Sequence, residues 1–263
     1  MDLGLKGRSA AVAAASRGLG RATALALARE GCLVAICGRD PKKIRASADF
    51  IERETGGRVV AVTADVGSRG DCERFIGETV EAFGRLDILV TNTGGPPAGT
   101  FEAMAGDEWE KAYHNLLSNV LNLVRAAAPH MKKAKWGRIL NIASLSVKQP
   151  IDNLVLSNTF RPAIAGLSKS LSKELGAHGI LVNTICPGYT RTDRLEELAD
   201  ERVRRAGITK DQYYEMLAKN VPLGRIAETE EFASVAAFLC SERASYVSGI
   251  ALAVDGGAGV GLP

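Results

Sequence analysis

The sequence has 263 residues, and its content of 46% hydrophobic and 24% charged residues is typical of one large globular domain or two small ones. Lysine and arginine number 33 against 30 aspartates and glutamates, so the net charge of +3 excludes a nucleic-acid clamp driven by bulk electrostatics. Every apolar run is far shorter than the roughly 18 residues that a membrane-spanning helix needs, and residues 1–8 lack the pattern of a secretory signal. We therefore expect neither a nucleic acid nor a membrane as partner.

Strand and helix signals alternate along the chain. Seven short and mostly continuous apolar runs predict strands over residues 8–14, 32–37, 58–63, 86–91, 138–143, 180–185 and 250–254. The segments between them predict helices over residues 20–30, 41–54, 71–83, 107–133, 158–177, 193–219 and 228–241. Continuous apolar strands are covered on both faces, and their alternation with helices makes the sheet parallel. The sequence predicts an α/β fold: a single doubly wound, Rossmann-type domain over residues 1–263, with a parallel sheet of about seven strands and helices on both faces.

Residues 189–225 interrupt this alternation. The segment is charged and holds helical stretches without a strand, so we predict a substrate lid within the domain. Its cluster of Tyr213, Tyr214 and Met216 has two interpretations. The side chains contact an apolar substrate tail, or they form the inner face of an ordinary amphipathic helix.

The cysteines and histidines form no metal-binding pattern. The five cysteines are widely spaced without a Cys-x-x-Cys pair, and the three histidines share no ligand spacing. An odd number of cysteines in apolar stretches indicates buried thiols, which are typical of a reducing compartment. We expect no metal and a cytoplasmic location.

The turn between the first predicted strand and the first helix has the residues of a phosphate cradle, which are Ser16, Arg17, Gly18, Leu19 and Gly20. Glycines let a backbone approach a diphosphate closely, and the helix N-terminus behind them supplies free N–H groups and partial positive charge. The alternative is a tight turn that needs glycine only for packing.

The end of the second predicted strand bears on which dinucleotide is bound. An acid there holds the ribose 2′-hydroxyl of NAD, whereas a base holds the 2′-phosphate of NADP. Arg39 and Arg17 together offer two guanidinium forks to such a phosphate. Asp40 is either a rival acid or the cap of the helix that begins at Pro41. Charge therefore favours NADP over NAD as the cofactor.

Further motifs follow in order along nearly the whole chain. They are Gly18-Leu19-Gly20, Asp65-Val66, Thr91-Asn92-Thr93-Gly94, residues 137–144, residues 179–183, Pro187-Gly188 and Asp255-Gly256-Gly257. This ordered set resembles the short-chain dehydrogenase/reductase superfamily, close to its 3-oxoacyl-carrier-protein reductase branch. The resemblance implies that Asp65 and Val66 flank an adenine and that Asn92 and Gly94 shape the floor of the site. It also implies a homo-tetramer, and a nicotinamide side lined by Pro187, Gly188, Thr190 and Thr192.

The phosphate turn departs from the family pattern. The family's Thr-Gly start is Ala13-Ala14 in this chain. A Cβ at position 14 either crowds the pyrophosphate or demands a positive φ from a residue that disfavours it.

The catalytic positions depart further. The serine that orients the substrate in the family matches Ser144, but the tyrosine and lysine positions hold Ser157 and Arg161. No tyrosine in the sequence has a lysine four residues later. The helix asparagine of the family falls on Leu116, and Asn115 lies one position early, about 100° away around a helix. The candidate catalytic residues are therefore Ser144, Ser157 and Arg161, and Arg161 is also a candidate contact for the nicotinamide ribose.

These substitutions leave three hypotheses open. The first is an NADP-dependent oxidoreductase for a small-molecule or acyl-thioester substrate, with its proton supplied by water, by the substrate, or by Tyr189, Tyr213 or Tyr214. The second is a dinucleotide-binding scaffold or sensor without turnover. The third is a non-redox enzyme in which Arg161 holds an anion. A serine hydroxyl is a far weaker acid than a tyrosine beside a lysine, and acid–base assistance contributes roughly 10²–10⁴ in rate.

Overall fold

The strands form one parallel sheet in a computed structural model, which describes residues 1–261. The order is β3-β2-β1-β4-β5-β6-β7. The strands are β1 (Ser9–Val12), β2 (Leu33–Gly38), β3 (Val59–Thr63), β4 (Ile88–Thr91), β5 (Gly137–Ile142), β6 (Ile180–Pro187) and β7 (Ala251–Val254). The predicted doubly wound α/β fold is confirmed, and positions 262 and 263 of the predicted domain lie outside the described residues.

The helices follow the strands in alternation. They are α1 (Gly18–Arg29), α2 (Pro41–Thr55), α3 (Arg69–Phe83), α4 (Gly106–Ala112), α5 (Asn119–Ala134), α6 (Val155–Leu175), α7 (Asp193–Ala206), α8 (Lys210–Lys219) and α9 (Thr229–Leu239). Buried apolar residues of α1, α2 and α9 form one core layer with the sheet, and those of α3, α5 and α6 form a second. Both faces of the central strands are covered, so most of their residues are apolar, although β5 also buries the polar residues Arg138 and Asn141.

Two predicted helices are interrupted in the structure. The helix predicted over residues 107–133 contains a π-helical turn, Tyr113–Ser118, between α4 and α5. The segment predicted as helical over residues 193–219 is two helices, because Gly207 ends α7 with a φ of 66° and Thr209 caps α8 through its side chain. Neither interruption changes the path of the sheet.

The strand order reverses between β1 and β4. The chain runs from β1 outward to β2 and β3, then returns to β4 on the other side of β1. In open α/β sheets, ligands bind in the crevice at the carboxyl ends of the strands at such a reversal. The turn after β1 and the loop after β4 are the two walls of this crevice.

Helices α7 and α8 form a separate small unit beside the sheet. Leu195, Leu217 and Ile226 make its buried apolar cluster, against which three tyrosines pack. These tyrosines are Tyr189, Tyr213 and Tyr214. The structure therefore favours the inner-face interpretation of Tyr213 and Tyr214 over contact with a substrate tail.

At the far edge of the sheet, β7 pairs only with β6 among the described residues. Its four residues are half-buried, and Tyr246 just before it is fully exposed.

Within residues 1–261, no helix combines the length and apolarity required to cross a bilayer. The same part of the chain contains no cluster of three metal-ligating side chains.

Candidate active site

The turn after β1 brings a helix N-terminus to the crevice. Helix α1 begins at Gly18, which has a φ of 58°, and no side chain of the described residues caps its first turn. A Cβ at Gly20 would lie 2.6 Å from the carbonyl oxygen of Ala14, so only glycine allows this close turn. The side chain of Asn92, after β4, donates to that same oxygen at 3.2 Å. The turn is thus fixed while the first N–H groups of α1 stay available.

Ala14 adopts the backbone conformation that its glycine counterpart in the family pattern would adopt freely. Its φ is 47°, in the left-handed region. This conformation costs a residue with a Cβ about 1–2 kcal/mol. The expected demand for a positive φ is therefore present in the structure.

The two residues after β2 have separate tasks. Asp40 caps α2, accepting from the backbone N–H groups of Lys42 at 2.9 Å and Lys43 at 3.1 Å. Arg39 is exposed and has no hydrogen-bond or ion-pair partner among the described residues. Asp40 is thus engaged as a helix cap, whereas the cation next to it is unengaged.

The other arginine predicted for the phosphate is already paired. Nη2 of Arg17 donates to Oε1 of Glu197 on α7 at 2.7 Å. Its Nε lies 3.8 Å from Oδ2 of Asp193, also on α7. No spacing in the sequence predicts this contact, because Arg17 and Glu197 are 180 positions apart.

The remaining predicted cofactor residues lie at the carboxyl ends of the strands. Asp65 is exposed and accepts from the N–H of Gly67 at 2.9 Å, while the side chain of Val66 is buried in the core. Val66 therefore offers a ligand its backbone, not its side chain. Ser16 and Leu19 are half-buried, and Gly94 is exposed with open space around its Cα.

The end of β6 carries the residues predicted for the nicotinamide side. Gly188 approaches the final strand so closely that a Cβ would lie 2.7 Å from Cα of Asp255. Thr190 Oγ1 donates to the carbonyl of Gly188 at 3.3 Å, and Thr192 caps α7 by accepting from Leu195 N at 3.2 Å. The residues after Pro187 thus lead directly into α7.

The candidate catalytic serines form a hydrogen-bonded chain. Ser144 accepts from the backbone N–H of Ser146 at 3.2 Å and so caps a short 3₁₀ turn. The hydroxyls of Ser146 and Ser157 are 2.9 Å apart and share a hydrogen bond. Both of these residues are buried. Ser146 was not predicted from the sequence, since nothing in its spacing distinguishes it.

Arg161 is a buried cation. Its Nη1 donates to the carbonyl oxygens of Ile142 at 2.9 Å and Ala143 at 3.0 Å, at the end of β5. Its Nε has no hydrogen-bond partner, and no carboxylate of the described residues forms an ion pair with it. Burial lowers the pKa of Arg161 to about 10. A donor left without a partner in a buried place indicates a ligand or water contact.

A buried leucine occupies the position that matches the helix asparagine of the family. Leu116, in the π-helical turn, is fully buried against Ala112 and Leu156. Asn115 is exposed and lines an open cleft of about 330 Å³ with Asp65, Gly67 and charged residues of α4. None of the candidate catalytic serines lines this cleft.

One of the three candidate proton-donating tyrosines is poorly suited to the task. Burial raises the pKa of Tyr214 to about 12, and the nearby Glu196 carboxylate acts in the same direction. Its hydroxyl oxygen is enclosed within the α7–α8 unit. We therefore remove Tyr214 from the candidates, because it holds its proton more tightly than an ordinary tyrosine does.

The sheet order, the uncapped α1 turn at its reversal and the serine chain after β5 define a nucleotide-binding α/β domain with a polar site beside it. A family model described as enoyl-(acyl carrier protein) reductase matches residues 13–259. The chain belongs to the short-chain dehydrogenase/reductase family.

Several relatives match over nearly their whole length. The chain is 33% identical to the 3-oxoacyl-[acyl-carrier-protein] reductase FabG of Aquifex aeolicus over 257 residues, which is 98% of this chain and 99% of the relative. It is 30% identical to the NADPH-dependent reductase BacG of Bacillus subtilis over 251 residues, covering 95% and 97% of the two chains. The crystal structure of L-sorbose reductase from Gluconobacter frateurii, complexed with NADPH and L-sorbose, superposes with a TM-score of 0.96 at 31% identity and full coverage of both chains.

Proposed function

We propose that this protein is an NADP(H)-dependent oxidoreductase acting on a carbonyl or alcohol, with altered catalytic residues. The observation that carries the proposal is the unengaged guanidinium of Arg39 next to the uncapped N-terminus of α1. A free cation at the end of β2 suits the 2′-phosphate that distinguishes NADP from NAD. The three relatives above are reductases, and two of them are described with NADPH.

The residues of the crevice fit such a cofactor. The first N–H groups of α1 favour a diphosphate, and Gly18 and Gly20 keep side chains away from it. The orphaned Nε of Arg161 is a donor suited to a ribose hydroxyl on the other side of the site. When bound, NADPH supplies a hydride.

The proton must come from a weaker source than in the family pattern. The hydroxyl of Ser157 stands at the tyrosine position and shares its hydrogen bond with Ser146. Arg161 stays protonated near neutral pH, so it holds positive charge and donates no proton. We expect slow turnover, with the proton taken from water, the substrate, Tyr189 or Tyr213.

A second candidate is an NADP(H)-binding protein without turnover. The observation in its favour is that Ser144, Ser157 and Arg161 all bond to the chain itself. The same bonds weaken the hypothesis of a non-redox enzyme in which Arg161 holds an anion. Nη1 of Arg161 already donates to strand carbonyls, and the residue is only 6% exposed.

Cofactor binding is tested by titrating the protein with NADPH and NADH and following fluorescence or heat. We expect NADPH to bind at micromolar concentration and NADH more weakly, and Arg39→Ala to weaken NADPH binding about tenfold or more, because a charge-assisted contact to a phosphate is lost. Arg53→Ala is the matched control, an exposed arginine in the last turn of helix α2, which follows Arg39 in the chain. Failure of both cofactors to bind at millimolar concentration would refute the proposal.

Turnover separates the two candidates. With NADPH bound, the wild type is screened with small carbonyls and acyl thioesters beside the double variant Ser157→Tyr, Arg161→Lys, whose fold is checked by circular dichroism. Slow wild-type oxidation of NADPH that depends on the substrate supports the oxidoreductase. Binding without turnover, in a wild type whose double variant turns over, supports the second candidate.

We also propose that the protein is cytoplasmic and assembles as a homo-tetramer. The half-buried edge strand β7 and the fully exposed Tyr246 beside it support assembly at this edge. A monomer in light scattering at micromolar concentration would refute the tetramer.

A further inference from the structure

The N-terminal part of α7 contacts both walls of the crevice. On the side of the β1 turn, Glu197 accepts a hydrogen bond from Arg17 at 2.7 Å. On the side of the β4 loop, Nη2 of Arg194 donates to the carbonyl of Pro96 at 3.2 Å. Helix α7 therefore reaches across the place where the strand order reverses.

Glu197 lies between two guanidinium groups. Its Oε1 accepts from Arg17, and its Oε2 is 3.6 Å from Nη1 of Arg194. The Arg17 guanidinium is the main reason why the pKa of Glu197 lies below its ordinary value. Asp193 adds a second carboxylate 3.8 Å from Arg17. At neutral pH, Arg17 thus faces two negative charges of α7.

The two arginines expected at the 2′-phosphate differ in this respect. Arg39 has no partner among the described residues, whereas Arg17 is held by α7. The side chains of Arg17 and Glu197 are 52% and 47% exposed, so their ion pair is weak. A phosphate dianion that presents two oxygens to a guanidinium forms the stronger contact.

We propose that Glu197 is a specificity-determining residue, which competes with the 2′-phosphate of NADP(H) for the guanidinium of Arg17. When the phosphate takes Arg17, the carboxylate remains with Arg194, so α7 leaves the β1 turn and stays attached to the β4 loop. Binding of NADP(H) is thereby coupled to the position of α7, and binding of NAD(H), which lacks this phosphate, is not. The inference rests on the proposed binding of NADP(H).

The test is the affinity of Glu197→Gln for NADPH and for NADH. The glutamine keeps the size of the side chain and removes its charge. We expect NADPH to bind about three- to fivefold more tightly, the range that a partly exposed ion pair supplies, and NADH to change by less than about 1.5-fold. Glu196→Gln is the matched control, because Glu196 is the neighbouring acid of α7 and pairs with Lys210 instead of Arg17. Equal tightening of both cofactors, or an equal effect of Glu196→Gln, would overturn the inference.

A double-mutant cycle identifies the partner. If competition is for Arg17, Glu197→Gln has no effect on NADPH affinity in an Arg17→Ala background. An unchanged effect in that background would show that the carboxylate acts without Arg17, and the inference would be wrong. If the wild type binds NADPH and Arg39→Ala weakens it while Glu197→Gln matches the wild type, this inference fails alone. If no variant binds NADPH, the proposed function fails with it.

Discussion

Ala14 shows how a single residue stores strain in this fold. Its φ of 47° is set by its surroundings, because its carbonyl oxygen accepts from Asn92 and occupies the space that a Cβ at Gly20 would need. A residue that is kept in a sparsely populated conformation needs neighbours that over-determine it. The strain thus lies in the turn that we propose to hold the cofactor diphosphate.

Replacing Ala14 by glycine is expected to stabilise the protein. Relief of the left-handed conformation exceeds the extra freedom of glycine in the unfolded chain, for a net gain of about 0.5–1 kcal/mol. Urea unfolding monitored by circular dichroism measures the change. Ala15→Gly is the control, since Ala15 is fully buried and has no positive φ, and it should lose stability. A loss of stability in Ala14→Gly would contradict the argument.

The helical segment from α4 to α5 shows how one element changes the polarity of the residues beside the site. Its π-helical turn, Tyr113–Ser118, rotates the residues that follow relative to a regular helix, and such turns are frequent at functional sites. Leu116 in this turn is buried in an apolar cluster, while Asn115 lines the open cleft that also contains Asp65. In place of the polar residue of the family pattern, this position holds a leucine that packs in the core.

An asparagine at position 116 is therefore expected to destabilise the helix instead of restoring the site. Leu116→Asn removes buried apolar surface and leaves an amide without partners, at a cost of about 2–4 kcal/mol. The free energy of unfolding measures this cost. Asn115→Ala, one position away and exposed, should change it by no more than about 0.5 kcal/mol. Equal effects of the two substitutions would show that residue 116 is less enclosed than described.

The elements themselves were predictable, and their long-range contacts were not. Continuous apolar runs such as β2 and β4 predicted buried parallel strands within one or two residues, because burial on both faces is a local property of sequence. The glycines of the α1 turn predicted a tight turn, because the backbone conformation of a turn also depends on the local sequence. The contacts of Arg17 with Glu197 and of Ser146 with Ser157 depend on how distant segments pack, so no spacing in the sequence predicted them.

At the scale of the whole molecule, the free thiols make the free energy of unfolding depend on pH in the alkaline range. All five cysteines are reduced and buried. Burial raises the pKa of Cys32, Cys37 and Cys72 to about 12 and of Cys186 to about 11, and it also raises that of Cys240. The folded state therefore keeps protons that the unfolded state loses above pH 9.

The thiol contribution to stability is expected to be fully present below pH 9 and to be lost as the pH rises from 9 toward 12. An enclosed thiol such as Cys37 contributes a loss of about 1 kcal/mol between pH 9 and pH 10. Urea unfolding at a series of pH values measures the slope. Cys37→Ala should reduce this dependence of stability on pH while lowering stability at pH 8. Rapid reaction of the folded protein with a thiol reagent at pH 8 would contradict the burial of the thiols.

The exposed edge of β7 makes the resistance of the protein to aggregation depend on its concentration. A strand with one unpaired side presents backbone donors and acceptors that pair with any extended segment they meet. If the proposed tetramer covers this edge, each tenfold dilution lowers the free energy of a pairwise association by about 1.4 kcal/mol. Dilute solutions of the protein would then aggregate irreversibly sooner than concentrated ones. This is the reverse of the usual concentration dependence of protein aggregation.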